Sequence, residues 1–508
     1  TGNNNVALGY QALYYNTTGT YNTASGYQAL YSNTTGSDNT AVGYTSLYSN
    51  TTGGKNTAIG IQALNSNTTG SSNTAVGYTS LLANSTGGYN IAIGDRSLTS
   101  NTTGNYNSAS GYQALYSNTT GDANVATGYQ SLALNITGGY NTAIGSTALY
   151  SNTTGSYLTA SGYKALFSNT TGNYNTASGY QALYSNTTAN NNTAIGYKAA
   201  YSNTTGSGNT ASGYQTLYSN TTGDNNAGFG MYALETNTTG LRNSAMGYGT
   251  LRSNTTGGYN TAAGFASLVS NTTGSYNTSM GNKTMYLNTT GSYNVAIGHQ
   301  ALYANSTGDY NTAMGPFALE VNTSGIRNTG FSYGALRSNT TGSYNSAMGY
   351  GALASSVDGS YNTAMGTDTF YSLTSGSNNT GFGYRAGYSN ATGSGNVFLG
   401  YQAGYNETGS NKLYIANGAN NSNRLIYGDF STGNMTIGNG SGTINFSAGT
   451  VNSEEMRIGG EQVVTTSYVD GAVSYIESIV GVSNETSTWA ETSKTLMANR
   501  GSNDEASS

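Results

Sequence analysis

This 508-residue chain contains no cysteine and only one proline, one tryptophan and one histidine. Without cysteine it can form neither a disulfide bond nor a thiolate metal site. Charged residues make up 7% of the chain, against roughly 25% in an ordinary globular protein. The 15 lysines and arginines are scattered and the net charge is -5, so we do not expect binding to nucleic acid. No apolar run reaches the length of about 18 residues that a membrane-spanning helix needs, and we expect no membrane insertion.

Catalytic chemistry is not expected either. A catalytic site needs titratable groups that converge in space. The single His299 falls at a turn or surface position of a repeat, and Asp95, Asp122, Asp224 and Asp309 are scattered turn residues. We therefore predict that the chain is not an enzyme, that it has no catalytic residues, and that it holds neither a metal nor a cofactor.

What the chain has instead is glycine, with 73 residues, and a strict internal repeat. Gly9 recurs every 17 residues as far as Gly400; this gives 24 positions, and only Ser332 among them is not glycine. A flexible linker tolerates changes of length, and this array has none. Glycine and β-branched threonine exclude a pair of helices in each unit. The period predicts an all-β fold, a parallel β-solenoid (β-roll) of 24 seventeen-residue coils with an axial rise of about 4.8 Å per coil.

Residues that are 17 apart are predicted to lie above one another, and we name each such column after its first member. The Leu13 column is apolar and is assigned to the core, beside the small residues of the Ala12 and Ala7 columns. The Leu8 column varies between Leu, Ser, Val, Ile, Met and Phe, and is assigned to a second, narrower interior. The Asn5 column is asparagine in 23 of 24 coils, which predicts amides paired along the axis.

Charged residues follow the same columns. Glu235 lies one coil before Arg252, and Glu320 lies one coil before Arg337. These two pairs are predicted to form axial salt bridges at the surface. Such exposed pairs contribute about 0–1 kcal/mol each.

The chain divides into four segments: the repeats at 1–409, a β-strand connector at 410–465, a short trimeric coiled coil at 466–482 and a polar tail at 483–508. In the third segment apolar residues are spaced by 4, 3 and 4, which is the pattern of a heptad seam. The predicted seam residues are Val469, Val473, Ile476 and Val480. A helix this short needs partners, so we predict a homotrimer.

The N-x-A-x-G motif of each unit, as at 56–60 and 294–298, resembles the head repeats of trimeric autotransporter adhesins. The resemblance covers 1–409 and implies a parallel β-roll with three chains side by side. The unit is longer here, and we place the extra residues in the N-T-T-G turn. The strand segment 412–438 and the helix that follows it resemble modules of phage-type tail fibres. The resemblance implies an extracellular protein on a virion tail or a cell surface.

Tyrosine recurs in three columns. Aromatic rings stack on sugars and on partner proteins, so these columns are candidate binding residues; alternatively, they cover the coil or pack between chains. The candidates are Tyr10, Tyr27, Tyr44, Tyr14, Tyr31, Tyr48, Tyr89 and Tyr106.

The N-T-T turn reads as an N-glycosylation sequon in almost every coil. The first four candidate acceptors are Asn16, Asn33, Asn50 and Asn67. Turn chemistry alone also explains the sequence N-T-T-G, so both interpretations stand.

Two functions follow from these observations. The first is an elongated trimeric fibre, either a tail fibre or the shaft of a surface adhesin, that attaches to a host or surface glycan. The alternative is an extracellular structural filament or coat protein that polymerises and carries N-linked glycans. Thr1 and Gly2 fall where a repeat ends, which predicts that the sequence is a piece of a longer chain or a processed one.

Overall fold

The computed structural model describes residues 2–438 and two short strands beyond them, Met456–Ile458 and Glu461–Val463, which pair with each other in antiparallel fashion. The described part of the chain is all-β, without an α-helix. The predicted helix 466–482 and the tail 483–508 lie outside the described residues. This also holds for the predicted trimer seam, Val469, Val473, Ile476 and Val480.

The repeats form the predicted parallel β-solenoid of 24 coils. Each coil contributes one three-residue strand that pairs in parallel with the equivalent strand of the next coil, so that Thr23 faces Thr40 and Ala24 faces Ala41. Strands β1 to β24 are Val6–Leu8, Thr23–Ser25, Thr40–Val42, Thr57–Ile59, Thr74–Val76, Ile91–Ile93, Ser108–Ser110, Val125–Thr127, Thr142–Ile144, Thr159–Ser161, Thr176–Ser178, Thr193–Ile195, Thr210–Ser212, Ala227–Phe229, Ser244–Met246, Thr261–Ala263, Thr278–Met280, Val295–Ile297, Thr312–Met314, Thr329–Phe331, Ser346–Met348, Thr363–Met365, Thr380–Phe382 and Val397–Leu399.

A sharp bend limits each strand to three residues. At Gly26 φ is 146°, and a Cβ atom there would collide with the carbonyl of Gly43 in the next coil. Gln28 and Leu30 follow at φ 54° and 50°, a left-handed conformation that costs such residues of order 1–3 kcal/mol. Hydrogen bonds between coils continue through the bend, as from Leu30 N to the carbonyl of Ser46 at 3.0 Å. These bonds and the burial of the leucine offset the backbone cost.

One narrow core runs along the solenoid. The Leu13, Ala12 and Ala7 columns fill it, and beyond the first coil most of their members are fully buried. Glycine makes room where a large residue enters. Phe370 and Phe398 occupy the space that the side chains of Gly387 and Gly404 would need, so the volume of the core is conserved across neighbouring coils.

The Leu8 column does not line a second interior, and that prediction is wrong. Its members point outward, with 37% of Val42 and 43% of Phe229 exposed. Successive side chains of a strand point to opposite faces. Because the central residue of each strand, most often alanine, points into the core, the residues on both sides of it must face out.

The Asn5 column closes each coil. Asn22 Nδ2 donates to the carbonyl of Gly36 at 2.9 Å, 14 residues further along the same coil. Asn22 Oδ1 accepts the backbone N–H of Asn39 in the next coil at 3.0 Å. Amide-to-amide contacts, as between Asn124 and Asn107 at 3.1 Å, accompany this pattern in some coils only. The column therefore links side chain to backbone, rather than amide to amide as predicted.

The Asn16 column forms the axial amide ladder instead. Asn50 Nδ2 donates to Asn33 Oδ1 at 2.8 Å and to the carbonyl of Gly53 at 2.9 Å. The same pattern continues along the column to Asn339. Stacked amides of this kind polarise one another and satisfy polar atoms that are shielded from water.

The sequon asparagines are members of this ladder. Asn33, Asn50 and Asn67 are fully buried, and Asn16 in the first coil is half-buried. In the buried members both Nδ2 hydrogens are donated, and Nδ2 is the atom that would carry a glycan. The folded coil therefore does not accommodate glycosylation at Asn33, Asn50 and Asn67.

The amide ladder stops at Ser356, where serine replaces asparagine. The Asn339 Oδ1 and Ser356 Oγ atoms are buried without a hydrogen-bond partner. The next member of the column is Leu373, which is buried. A short stretch of the coil interior thus lacks the polar pairing that all earlier coils have.

The predicted axial salt bridges are confirmed. Arg252 Nε lies 2.5 Å from Glu235 Oε2, and the equivalent pair Arg337–Glu320 is separated by 2.6 Å. A third pair, Arg385 and Asp368 at 3.2 Å, follows the same one-coil spacing and was not predicted.

The sheet continues beyond the last coil. Strand β25 (Lys412–Ala416) pairs in parallel with β24. It is followed by a short 3-10 helix at Asn421–Asn423 and by antiparallel strands β26 (Arg424–Asp429) and β27 (Asn434–Ile437). The strands predicted in 412–438 are thus confirmed. In the part of the chain that the structure describes, no helix has the length and apolarity required to cross a membrane.

Replacing Ser356 with asparagine should extend the amide ladder by one coil. The new Nδ2 would reach Asn339 Oδ1, and we expect local stability to rise by about 1 kcal/mol, the usual worth of one buried hydrogen bond. Hydrogen exchange measured by mass spectrometry on peptides covering 339–373 should slow accordingly. Ser355→Asn, at the neighbouring half-buried position outside the ladder, serves as the control and should leave exchange unchanged. Equal or faster exchange in Ser356→Asn would contradict the ladder.

Glycopeptide mass spectrometry of native material should find Asn33, Asn50 and Asn67 unmodified, because a glycan would replace one hydrogen of the fully buried Nδ2 and remove a buried hydrogen bond from each coil. Asn406 is exposed and begins the sequon 406–408. A glycan on Asn406 would show that the native material had been exposed to N-glycosylating enzymes. A glycan on any of the three ladder asparagines of the folded protein would overturn this conclusion.

Candidate binding face

Three columns run side by side on the surface of the solenoid. They begin at Tyr10, Gln11 and Tyr14, and we call them together the Tyr–Gln face. The bend after each strand positions them: in most coils residues at the first and third columns are exposed or half-buried, whereas the two residues between Gln11 and Tyr14 are buried in the core. The three positions of the face therefore repeat at every coil, while the residues that occupy them vary.

Cations of the middle column show that it lies between the two aromatic columns. Lys198 Nζ is 5.4 Å from the ring centroids of both Tyr197 and Tyr201. Arg385 is placed in the same way, 5.0 and 5.2 Å from the rings on its two sides. Each of these cations is in cation–π range of two rings.

The six tyrosines predicted on this face form two stacks. They are Tyr10–Tyr27–Tyr44, with ring centroids 5.2 Å apart, and Tyr14–Tyr31–Tyr48, with centroids 5.6 and 5.0 Å apart. Their planes are within 14° of parallel. The column geometry predicted from the 17-residue period thus brings these residues together.

Ring faces within a stack lie against neighbouring rings. A ligand therefore meets ring edges and phenolic hydroxyls, and it reaches an open ring face only where a stack ends. This differs from the expectation that sugars stack on each ring. Hydrogen bonding to Tyr15 raises the pKa of Tyr31 to about 12, so its hydroxyl remains protonated at neutral pH.

The glutamines of the middle column connect neighbouring coils. Gln28 Nε2 donates to Gln11 Oε1 at 2.8 Å, and Gln130 Nε2 donates to Gln113 Oε1 at 2.7 Å. Amides, hydroxyls and ring edges together give the face hydrogen-bonding groups at the spacing of the coils. These are the groups that recognise the hydroxyls of carbohydrates.

Tyr89 and Tyr106 belong to a different column, which begins at Asn4. Their rings stack at 5.1 Å and both are exposed. The column also contains Arg242, whose guanidinium contacts the Tyr259 ring and hydroxyl. The eight predicted tyrosines therefore do not form one site: six lie on the Tyr–Gln face and two lie outside it.

The longest stacks of the Tyr–Gln face flank two lysines, which were not among the predicted site residues. Together these residues form what we call the aromatic–lysine patch. It comprises Tyr163, Tyr180, Tyr197 and Tyr214 on one side, Lys164, Gln181, Lys198 and Gln215 in the middle, and Phe167, Tyr184, Tyr201 and Tyr218 on the other side. The alternation of lysine and glutamine in the middle column is the feature of the sequence from which this patch could have been predicted.

Both lysines of the patch remain charged at neutral pH. Hydrogen bonding to Tyr163 raises the pKa of Lys164. At Lys198 burial alone would lower the pKa. The surrounding tyrosine hydroxyls, above all that of Tyr197, have the larger combined effect and raise the pKa of Lys198. The patch therefore presents two fixed positive charges.

His299, the single histidine, is exposed and lies edge-on to Phe317, in agreement with the predicted surface position. Among the residues that the structure describes, no three His, Cys, Asp or Glu side chains are grouped as metal ligands would be.

Comparisons of the chain with models of protein families, with curated proteins and with solved structures find no match. The candidate binding role of the Tyr–Gln face therefore rests on the geometry of its residues alone.

Proposed function

We propose that this chain is the shaft of an elongated, homotrimeric extracellular fibre, a tail fibre or a surface adhesin, that attaches to glycans through the Tyr–Gln face. The observation that carries the proposal is the repetition of this face in register along the coils. Such a face offers many weak contacts to a carbohydrate-coated surface. Their combined avidity exceeds that of any single contact.

Self-association is supported by the exposed Leu8 column. From Phe229 to Leu399 all eleven members of this column are apolar, and 52% of Met246 and 46% of Phe331 are exposed. We call these eleven residues the apolar stripe. At the usual strand spacing it is about 48 Å long. Contiguous exposed apolar surface on this scale marks an interaction site.

A second and a third copy of the chain are the partners that fit the apolar stripe. Copies aligned in parallel would place the same apolar residue of each chain at the same height along the axis. The predicted seam from Val469 to Val480 requires the same parallel alignment. Met, which makes up five of the eleven members, adapts readily to such packing.

The alternative function, a filament that polymerises end to end, predicts continuous fibrils rather than rods of one length. Glycosylation, which formed part of that alternative, has no support from the buried sequon asparagines. Electron microscopy of native material separates the two functions, because rods of uniform length favour the fibre and fibrils favour the filament.

Sedimentation should give a particle of about three times the 52.2 kDa mass of one chain. The double variant Met280→Glu/Met348→Glu places charges in the apolar stripe and should dissociate the particle into single chains, because each buried charge would lack a partner. Ser178→Glu, in the same column but outside the apolar stripe, is the matched control and should remain associated. A wild-type mass equal to one chain would refute the homotrimer.

Binding of the protein to an array of neutral and anionic glycans tests the attachment role. The variant Tyr180→Ser/Tyr184→Ser interrupts both aromatic stacks of the face and should lower the affinity about tenfold, since each aromatic contact contributes about 0.5–1.5 kcal/mol. Tyr157→Ser/Tyr174→Ser removes stacked rings at a similar height in the column that begins at Asn4, and should have no effect. Equal losses in both variants, or no binding by the wild type, would contradict the proposal.

A further inference from the structure

The aromatic–lysine patch lies in the least charged part of the solenoid. Between residues 123 and 223 the only charged side chains are Lys164 and Lys198. Both occur in the middle column of the Tyr–Gln face, two coils apart, so their spacing along the axis is about 10 Å at the usual strand spacing. The patch is thus locally cationic in a chain whose net charge is -5.

The aromatic residues on both sides of the lysines add to the positive character of the patch. Lys164 Nζ lies 5.3 Å from the Tyr163 ring centroid and 5.4 Å from that of Phe167. The rings are stacked along the axis, and the edge of an aromatic ring carries positive charge in its quadrupole. Ring edges, phenolic hydroxyls and ammonium groups therefore all favour a ligand with negatively charged oxygens.

The middle column alternates lysine and glutamine over four coils, from Lys164 to Gln215. A ligand that matches it has an anionic group at every second position and neutral hydrogen-bonding groups between them. An extended β-linked polysaccharide has a disaccharide repeat close to two strand spacings, about 10 Å. One carboxylate per disaccharide therefore places one carboxylate on each lysine and one neutral sugar on each glutamine.

We propose that the aromatic–lysine patch binds a linear polysaccharide that carries one carboxylate per disaccharide, lying along the solenoid axis. This inference rests on the proposed function, since it names the class of glycan that the Tyr–Gln face takes at these coils. Each ammonium group pairs with one carboxylate, and the amides of Gln181 and Gln215 contact the hydroxyls of the sugars between.

Single-stranded nucleic acid fits the patch less well. Proteins bind it by stacking successive bases on open aromatic faces, and here the faces of the inner rings lie against the next ring of the column. Phosphate groups also occur on every nucleotide, whereas the lysines alternate with neutral glutamines. Nucleic acid is therefore a competing probe in the test.

The chain contains two matched control cations in the same column. Lys283 has one flanking ring, 5.9 Å away, because Asn282 replaces the ring on the other side. Arg385 has both flanking rings, but its charge is paired with Asp368 at 3.2 Å. Neither combines an unpaired charge with two aromatic neighbours as the lysines of the patch do.

The experiment measures binding of the full chain to hyaluronan oligosaccharides, with chitin oligosaccharides as the neutral probe and a single-stranded oligonucleotide as the polyanion control. Lys164→Gln/Lys198→Gln should weaken hyaluronan binding about tenfold for each lysine, the worth of one charge-assisted hydrogen bond. Glutamine is already the commonest residue of this column, so the variant should fold. Lys164→Arg/Lys198→Arg should retain binding, and Lys283→Gln and Arg385→Gln should leave it unchanged.

Hyaluronan binding that persists in Lys164→Gln/Lys198→Gln, or falls equally in Lys283→Gln, would overturn the inference. Equal or tighter binding of the oligonucleotide would also overturn it. Binding of chitin oligosaccharides that depends on Tyr180 and Tyr184 but not on the lysines would refute this inference while leaving the proposed function standing. If the wild-type chain binds neither hyaluronan nor chitin oligosaccharides, both this inference and the proposed function are refuted.

Discussion

The whole structure depends on the hydrogen bonds that join each coil to the next. A single coil of 17 residues is too small to satisfy the hydrogen bonds of its own backbone and asparagine side chains. The neighbouring coils must supply the missing donors and acceptors. The Asn5 column closes each coil onto itself and ties it to the next backbone, and the Asn16 column adds an amide ladder beside it. An insertion in one coil would displace all of these bonds at once. This explains why the period is constant along 24 coils.

Much of this architecture could be predicted because periodicity reports stacking directly. The fold, the Leu13 core and the axial pairs Arg252–Glu235 and Arg337–Glu320 all follow once residues 17 apart are placed above one another. The rings of the Tyr10 and Tyr14 columns stack on their neighbours one coil away for the same reason. The members of a column can be listed from the sequence alone, because the constant period assigns every residue to one column.

Which way a column points was harder to predict, since it depends on the path of the backbone within a coil. The Leu8 column is apolar from Phe229 to Leu399 yet faces out, because the central residue of each strand takes the inward position. The sequon asparagine reads as a surface turn but is buried, because left-handed residues such as Leu30 turn the chain inward before it. The residue types in the Leu8 and Asn16 columns do not reveal which of the two faces the solvent and which faces the interior.

Stacking also limits where charges can be placed. Like charges in adjacent coils of one column would face each other across one strand spacing, which is destabilising. In the 24 coils no two like charges are placed in this way, whereas Glu235–Arg252 and Asp368–Arg385 are opposite pairs. A column that needs several positive charges must therefore separate them with neutral residues, as Gln181 separates Lys164 from Lys198. The two-coil spacing of charge in the patch is thus the shortest that the solenoid permits, and a ligand with one charge per two residues is the one that it can match.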